Sequence, residues 1–421
     1  MPDGKRALEM HAKRKGKIEV VGSVSMRTKE ELSEYYTPGV AQVSLAINKD
    51  RAKAYDYTMK GRMAAILTDG TRILGLGDIG PEAGMPVMEG KALLLKKLGG
   101  VDAIPVCLDT KDEAQILRIA KALEPNFAAM NIEDIETPKC LNIVERLSKE
   151  MGIPIFHDDR NGVAVVTLAA LTNALKLAGK KLRSARIVVN GAGAAGIGIA
   201  ELLVKAGAER ICLCDTSGIL YKGRAVNMNL WKVRIAAATN REMMKGTLSD
   251  AVKGADVLIG ASVEGAFTAA MIRSMAKKPV AFSLANPYPE MDYQEMLSAG
   301  AFIAATGRSD RPNQVNNLLA FPGIMAGLIE SRASRVDGLM LVRSAEAIAR
   351  FSARGMRRDR IIADPIGKNT VLGLAPKVAA AVAESALELG IARSRKSPNE
   401  VELSVSKAIK RYSKIERVTS R

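Results

Sequence analysis

The stretch from Arg186 to Asp215 constrains the fold of this chain more than any other. Arg186-Ile187-Val188-Val189-Asn190 reads as a β-branched strand that enters Gly191-Ala192-Gly193-Ala194-Ala195-Gly196, and a helical run continues through Leu203. Arg210-Ile211-Cys212-Leu213-Cys214 reads as the next strand, closed by Asp215. Glycines at this spacing permit a tight turn, approach of the backbone to a pyrophosphate, and close helix–strand contact. The helix N-terminus adds N–H donors and a positive dipole end. An acid about 20 residues beyond the glycines suits the ribose hydroxyls. A lone glycine triplet says little. With the strand before, the helix after and the acid in place, the run predicts a dinucleotide site built on Gly191, Gly193, Ala194, Ala195, Gly196 and Asp215. A carboxylate at Asp215 disfavours a 2′-phosphate, and Thr216 and Ser217 offer no cation, although Lys222 and Arg224 are near in sequence. The balance leans to NAD over NADP.

Strand, turn and helix signals keep alternating from about Arg186 to Gly307, the pattern of a doubly wound parallel sheet. Upstream, Ala64-Ala65-Ile66-Leu67, Ala103 to Leu108 and Ile153-Pro154-Ile155-Phe156 read as short buried strands, the last running into His157-Asp158-Asp159. A helix is expected from Gly162 to about Leu177, and helices punctuated by Gly and Pro fill the end of the chain. Aromatic residues are only 4%, so the core rests on aliphatic side chains, which suits parallel strands under helices. The expected architecture is α/β: an N-terminal α/β substrate and metal domain over 1–160, a Rossmann-type doubly wound parallel sheet over 161–330, and C-terminal helices over 331–421 packing back on the N-terminal part.

The net charge of +17 gathers at the two ends, from Lys5 to Lys17 and from Arg393 to Arg417, with no aromatic stripe or nucleic-acid motif beside it. Solvated surface is the expectation, and nucleic acid is not an expected partner. The four cysteines are too few and scattered for a disulfide framework, and Cys212 and Cys214, on one face of a strand, are expected as buried free thiols. No apolar signal stretch opens the chain, and no run of ~20 apolar residues suggests a bilayer span. A soluble, cytoplasmic protein without a membrane partner is expected.

Two acidic pairs stand out, Glu133-Asp134 after an apolar stretch and Asp158-Asp159 at a strand end. Glu133, Asp134 and Asp159 together would suit Mg2+ or Mn2+ rather than zinc, because hard cations take oxygen ligands. From spacing alone they could equally be solvated pairs. Tyr36 lies in the turn segment Tyr35 to Ala41, and Lys91 reads as lying at the start of a helix beside Gly-rich sequence; either could be an ordinary packed or surface residue.

Taken together, however, the segments Tyr36 to Ala41, Thr68 to Asp78, Met85 to Lys91, Ile132 to Asp134, Phe156 to Asp159 and Gly191 to Gly196 resemble the malic enzymes. Leu284-Ala285-Asn286-Pro287, Thr306 to Asp310 and Pro312 to Asn317 extend the resemblance, which covers roughly residues 10–380 in unbroken order. It implies a homodimeric, small prokaryotic or archaeal type of enzyme that oxidises L-malate and decarboxylates it to pyruvate and CO2, with NAD or NADP and a divalent metal. It further implies Tyr36 as general acid and Lys91 as general base, Glu133, Asp134 and Asp159 as metal ligands, Arg72 on a malate carboxylate, and Asn286 and Asn317 on substrate near the nicotinamide. A base must be neutral, so Lys91 is expected to have a depressed pKa. The sequence departs from the family where Arg160-Asn161-Gly162-Val163 replaces Gln-His-Gly-Thr, which is expected to place a cation beside the metal site. Two other classes fit parts of the pattern: a metal-independent dehydrogenase of the amino-acid or folate type, and a basic nucleic-acid-binding protein without enzymatic activity.

Overall fold

The computed structural model describes residues 4–419 and is an α/β fold with two sheets. Strands β1 (Met63–Thr68), β2 (Asp102–Cys107), β3 (Ala129–Ile132) and β4 (Ile155–His157) form a four-stranded parallel sheet in the order β2-β1-β3-β4. Strands β5 (Arg186–Asn190), β6 (Arg210–Asp215), β7 (Gly218–Ile219), β8 (Val257–Gly260), β9 (Val280–Ser283) and β10 (Ile303–Thr306) form a second sheet in the order β10-β9-β8-β5-β6-β7. Every neighbouring pair in it is parallel except β6 and β7. The order reverses between β5 and β8, and such a switch point opens a crevice for ligands at the carboxyl ends of the strands.

The strands are near-continuous apolar runs because helices cover both faces. All residues of β1, β3, β4, β8, β9 and β10 are buried. Helix Pro81–Gly99 follows β1, starting on a proline and closed by Gly100 at φ +69°. The last helix, Pro398–Thr419, packs against it: Lys97 pairs with Glu416 at 2.7 Å, and the Lys96 ammonium sits 6.0 Å from the Tyr412 ring. Cys140, Cys212 and Cys214 are buried free thiols as expected, while Cys107 is half-buried.

Two details differ from the sequence reading. The stretches 158–178 and 368–388 are long and apolar enough to cross a bilayer, but they are mostly buried within the fold, as core helices are. The glycines near Lys91 do not mark a helix start. Lys91 lies mid-helix, and Gly84 serves packing, since a Cβ there would come 2.7 Å from Ile73 Cδ1.

Residues 4–49 form an arm. Its helices Gly4–Arg14, Lys29–Tyr35 and Val40–Lys49 bury no residue. Lys17 ties the arm down, its backbone N–H donating to Glu89 and its ammonium to the Pro86 carbonyl.

Candidate active site

Three segments distant in sequence bring charge together at the carboxyl ends of β3 and β4. The parallel register places Glu133 and Asp134 just past β3, and Asp158 and Asp159 just past β4. Helix Pro81–Gly99 points Lys91 at both pairs. Its ammonium lies 2.8 Å from Glu133 Oε1, contacts Asp158 Oδ2, and sits over the Phe321 ring. Glu133 Oε2 accepts from Asn131 at 2.7 Å, and Asp159 Oδ2 accepts from the Asp134 backbone N–H at 3.1 Å. Asp134 adopts φ +50°, a left-handed conformation that aspartate tolerates better than most residues. Asp158 to Gly162 form one π-helical turn, and Gly162 leaves the room Asp158 needs, because a Cβ there would lie 1.8 Å from Asp158 Oδ1.

Six ionisable groups crowded out of water perturb one another. Burial pushes Glu133 up to about 8, against the pull of Lys91 and with the other three carboxylates adding. Burial, then Asp159, pushes Asp134 up to about 7. Burial also raises Asp158, with Lys91 opposing. Asp159 moves the other way, to about 2: desolvation would raise it, but the His157 imidazole 3.8 Å away, Lys91 and the Asp134 N–H outweigh that. His157, fully buried, rises to about 9 despite desolvation, chiefly through Asp159. For Lys91 the structure corrects the sequence expectation. Desolvation lowers its pKa, yet Asp158 and Glu133 win and raise it, so this arrangement holds it as ammonium.

The donor set suits a hard divalent cation. It consists of carboxylates, and the buried oxygens Asp134 Oδ2 and Asp158 Oδ1 have no hydrogen-bond partner. Glu133, Asp134 and Asp159 share the pocket. Even so, among the described residues no three His, Cys, Asp or Glu side chains already stand as a ligand cluster. Glu133 is turned to Lys91 and Asn131 instead.

The second sheet brings its own cradle, and the helix that follows it packs on the turn after β4, where a Cβ on Gly198 would lie 2.5 Å from the Arg160 carbonyl oxygen. Gly191 has φ +116°, and a Cβ there would lie 2.2 Å from the Ala261 carbonyl oxygen. A Cβ on Gly196 would lie 1.8 Å from the Gly191 oxygen, whereas Gly193, at the head of helix Ala194–Lys205, faces open space. Only glycine fits the first two positions, and the third leaves backbone free for a ligand, as the sequence pattern requires. Asp215 is more engaged than the sequence suggests. Its carboxylate holds the Arg224 guanidinium on both oxygens, Lys232 at 2.8 Å and Asn227 at 3.3 Å. Desolvation opposes, but these cations keep it below its ordinary value.

The two sheet ends meet. Asn317 Nδ2, past β10, donates to Asp158 at 2.5 Å. A Cβ on Gly75 would lie 2.7 Å from Pro287, so the Arg72 loop borders the Asn286 loop. Arg72 donates its backbone N–H to the Asp134 carbonyl, and its exposed guanidinium has no hydrogen bond or ion pair among the described residues. Asn286 is exposed and donates weakly to Leu284 O at 3.4 Å.

Two residues lie away from the acidic pocket. Tyr36 stands on the arm, 64% exposed, without a side-chain hydrogen bond or a contact to Lys91 among the described residues. Arg160 does not add charge to the acidic pocket. Its guanidinium turns to Glu201 at 2.5 Å and stacks on Trp231, linking β4 to the glycine-loop helix. Sequence reading also missed partners. In the sequence Asp158 is only half of an acidic pair, yet it contacts both Lys91 and Asn317. Lys232 lies 17 residues beyond Asp215, on a later helix, with no local signal.

The chain is similar to known proteins over most of its length. The family description "Malic enzyme, NAD binding domain" matches residues 161–387, and "Malic enzyme, N-terminal domain" matches residues 15–118. The chain is 49% identical over 396 residues to a bifunctional malic/malolactic enzyme of Bacillus subtilis, covering 94% of this chain and 96% of that protein. It is 43% identical to an NADP-dependent malic enzyme of Rhizobium meliloti, covering 92% of this chain and 52% of that longer protein. Among solved structures it resembles an NAD-dependent malic enzyme of Thermotoga maritima, with a TM-score of 0.85, 46% identity and coverage of 90% of this chain and 98% of that one.

Proposed function

The chain belongs to the malic enzyme family, and from that premise we propose that it oxidises L-malate and decarboxylates it to pyruvate and CO2, reducing NAD or NADP with the help of a divalent cation. The observation that carries the reading is the buried convergence of Lys91, Glu133, Asp134, Asp158 and Asp159, joined to the second sheet through Asn317.

Glu133, Asp134 and Asp159 would hold Mg2+ or Mn2+. When bound, such a cation lowers the pKa of a substrate hydroxyl and stabilises negative charge on the adjacent oxygen. Lys91 would take the malate hydroxyl proton once the contacts that hold it charged, to Asp158 and then to Glu133, are relieved and desolvation lowers its pKa. Arg72 presents a free guanidinium fork to a substrate carboxylate. Asn286, exposed and only weakly engaged, and Asn317, which here donates to Asp158, would hydrogen-bond substrate near the nicotinamide.

Asp215 with Arg224 and Lys232 carries a net single positive charge. This supports acceptance of a 2′-phosphate, and so of NADP beside NAD, more than the sequence alone suggests. Tyr36 would protonate the product enolate, and it reaches such a site only if the arm meets another chain. A homodimer would also cover the exposed Val20, Val21 and Leu45. Sedimentation that gives the mass of one chain under conditions of full turnover counts against the dimer.

The test of function is absorbance at the reduced-nicotinamide band with L-malate, Mn2+ and each dinucleotide in turn. Malate-dependent reduction with stoichiometric pyruvate is expected. Reduction unaffected by EDTA would favour a metal-independent dehydrogenase, and no malate dependence would end the reading.

A further inference from the structure

Glu290 is fully buried, and no cation among the described residues pairs with it. Donors alone hold it. Oε1 accepts from the Ser262 backbone N–H at 2.8 Å and the Ser262 hydroxyl at 3.1 Å. Oε2 accepts from the Ser283 hydroxyl and the Ala285 backbone N–H, both at 3.0 Å. The fold makes room for this carboxylate, because a Cβ on Gly260 would lie 2.4 Å from Glu290 Cδ. A bare buried carboxylate is costly unless its lone pairs are met, and here four donors meet them.

The donors are not scattered. Ser262 follows β8, and its Oγ accepts from Asn190 Nδ2 at 2.8 Å; Asn190 ends β5 and immediately precedes Gly191. Ser283 ends β9, and Ala285 immediately precedes Asn286. Met291 N–H donates back to Ser283 Oγ at 3.1 Å, which closes the loop that carries Asn286. One carboxylate therefore links the loop starts after β5, β8 and β9, on the side of the switch point away from Asp215.

We propose that Glu290 is a positioning residue for the nicotinamide half of the dinucleotide: it fixes the loops after β8 and β9, and through Ser262 and Asn190 it registers them against the glycine loop. This rests on reading the strand ends as a dinucleotide face. Glu290 touches neither substrate nor cofactor in this role; it acts through Ser262, Ala285 and Asn286.

Glu290→Gln tests it with little change of shape. Each carboxylate oxygen faces a backbone N–H, and a backbone N–H cannot become an acceptor. Whichever end carries the amide NH2 must therefore release one loop. The expected result is a roughly tenfold weaker NADH affinity by fluorescence titration, equivalent to about 1.4 kcal/mol. A raised dinucleotide KM and a lowered kcat should accompany it. Mn2+ affinity, set in the other sheet, should stay within about twofold. Unchanged NADH affinity and turnover overturn the proposal. An equal fall in Mn2+ affinity also overturns it, since the residue would then be a general structural support. If Glu290→Gln does not fold, Ser283→Ala carries the test: it removes one of the four donors and should shift NADH affinity in the same direction by a smaller factor, and no shift overturns the proposal. Wild-type protein that binds no NADH would sink the dinucleotide reading itself, a failure distinct from that of Glu290.

Discussion

The two halves of the candidate site are built by opposite means. At the ends of β3 and β4 the site is made of charge: one ammonium and four carboxylates from three segments, with buried oxygens of Asp134 and Asp158 lacking partners. At the ends of β5 and β8 it is made of absent side chains. Gly191 and Gly196 permit contacts that any Cβ would block, and Gly193 leaves open backbone. The glycine cradle is complete as it stands, with backbone groups already placed. The acidic pocket is electrostatically frustrated, with Glu133 and Asp134 raised far above ordinary carboxylates. The glycine cradle is preorganised by shape, whereas the acidic pocket carries a crowding of carboxylates that a bound cation would relieve.

The sharpest break between the halves should come from Lys91→Ala. Malate turnover should fall by roughly 10²-fold or more if Lys91 is the base, while NADH affinity, set in the other sheet, stays within about twofold. Near-normal turnover removes Lys91 from the chemistry. Gly193→Val is the mirror experiment. A side chain in the open cradle should weaken NADH binding roughly tenfold and leave Mn2+ binding intact. Equal loss of both would mean that the halves are not separable.

Lys232→Ala should then act within the dinucleotide half alone. By removing one cation beside Asp215 it should lower kcat/KM for NADP by a few-fold relative to NAD, the scale of a partly exposed ion pair. An unchanged ratio would leave Asp215 and Arg224 as mere structure.

The smallest effect is on stability. In the folded protein Glu133 and Asp134 titrate near 8 and 7, above their unfolded values, so ionising them weakens the fold as pH rises. His157, raised to about 9, gives stability that is complete below its unfolded value and lost through that pH. All three act in one direction. The thermal midpoint of metal-free protein should therefore fall between about pH 6 and pH 9. Mn2+ should narrow the gap, because its ligands bind deprotonated. A metal-free midpoint that rises over that span contradicts the electrostatics.

The difference between the halves also explains what could be read from the sequence. The glycine loop, its strands and its acid lie within thirty contiguous residues, Arg186 to Asp215, so local spacing carries the geometry. The acidic pairs and Lys91 were visible as residues, but their meeting depends on the register of β3 beside β4 and on which way a helix faces, and no local pattern encodes either. That Lys91 is held charged follows only from two carboxylates arriving from elsewhere. Tyr36 illustrates the limit from the other side. Its motif is legible, yet the two helices that flank it bury no residue. Glu290 and Lys232 gave no signal, since one reaches back across two strands and the other comes from a later helix.

The central claim is that Glu133, Asp134 and Asp159 hold a divalent cation beside Lys91. Titrating Mn2+ into metal-free protein, followed by the electron paramagnetic resonance of the free ion, tests it most directly when wild type is set beside Asp134→Asn. A single saturable site in wild type, weakened by ten- to a hundredfold in the variant, is the result expected from losing a direct ligand, since even an outer-shell partner matters on that scale. No saturable binding in wild type, or full affinity in Asp134→Asn, would contradict it.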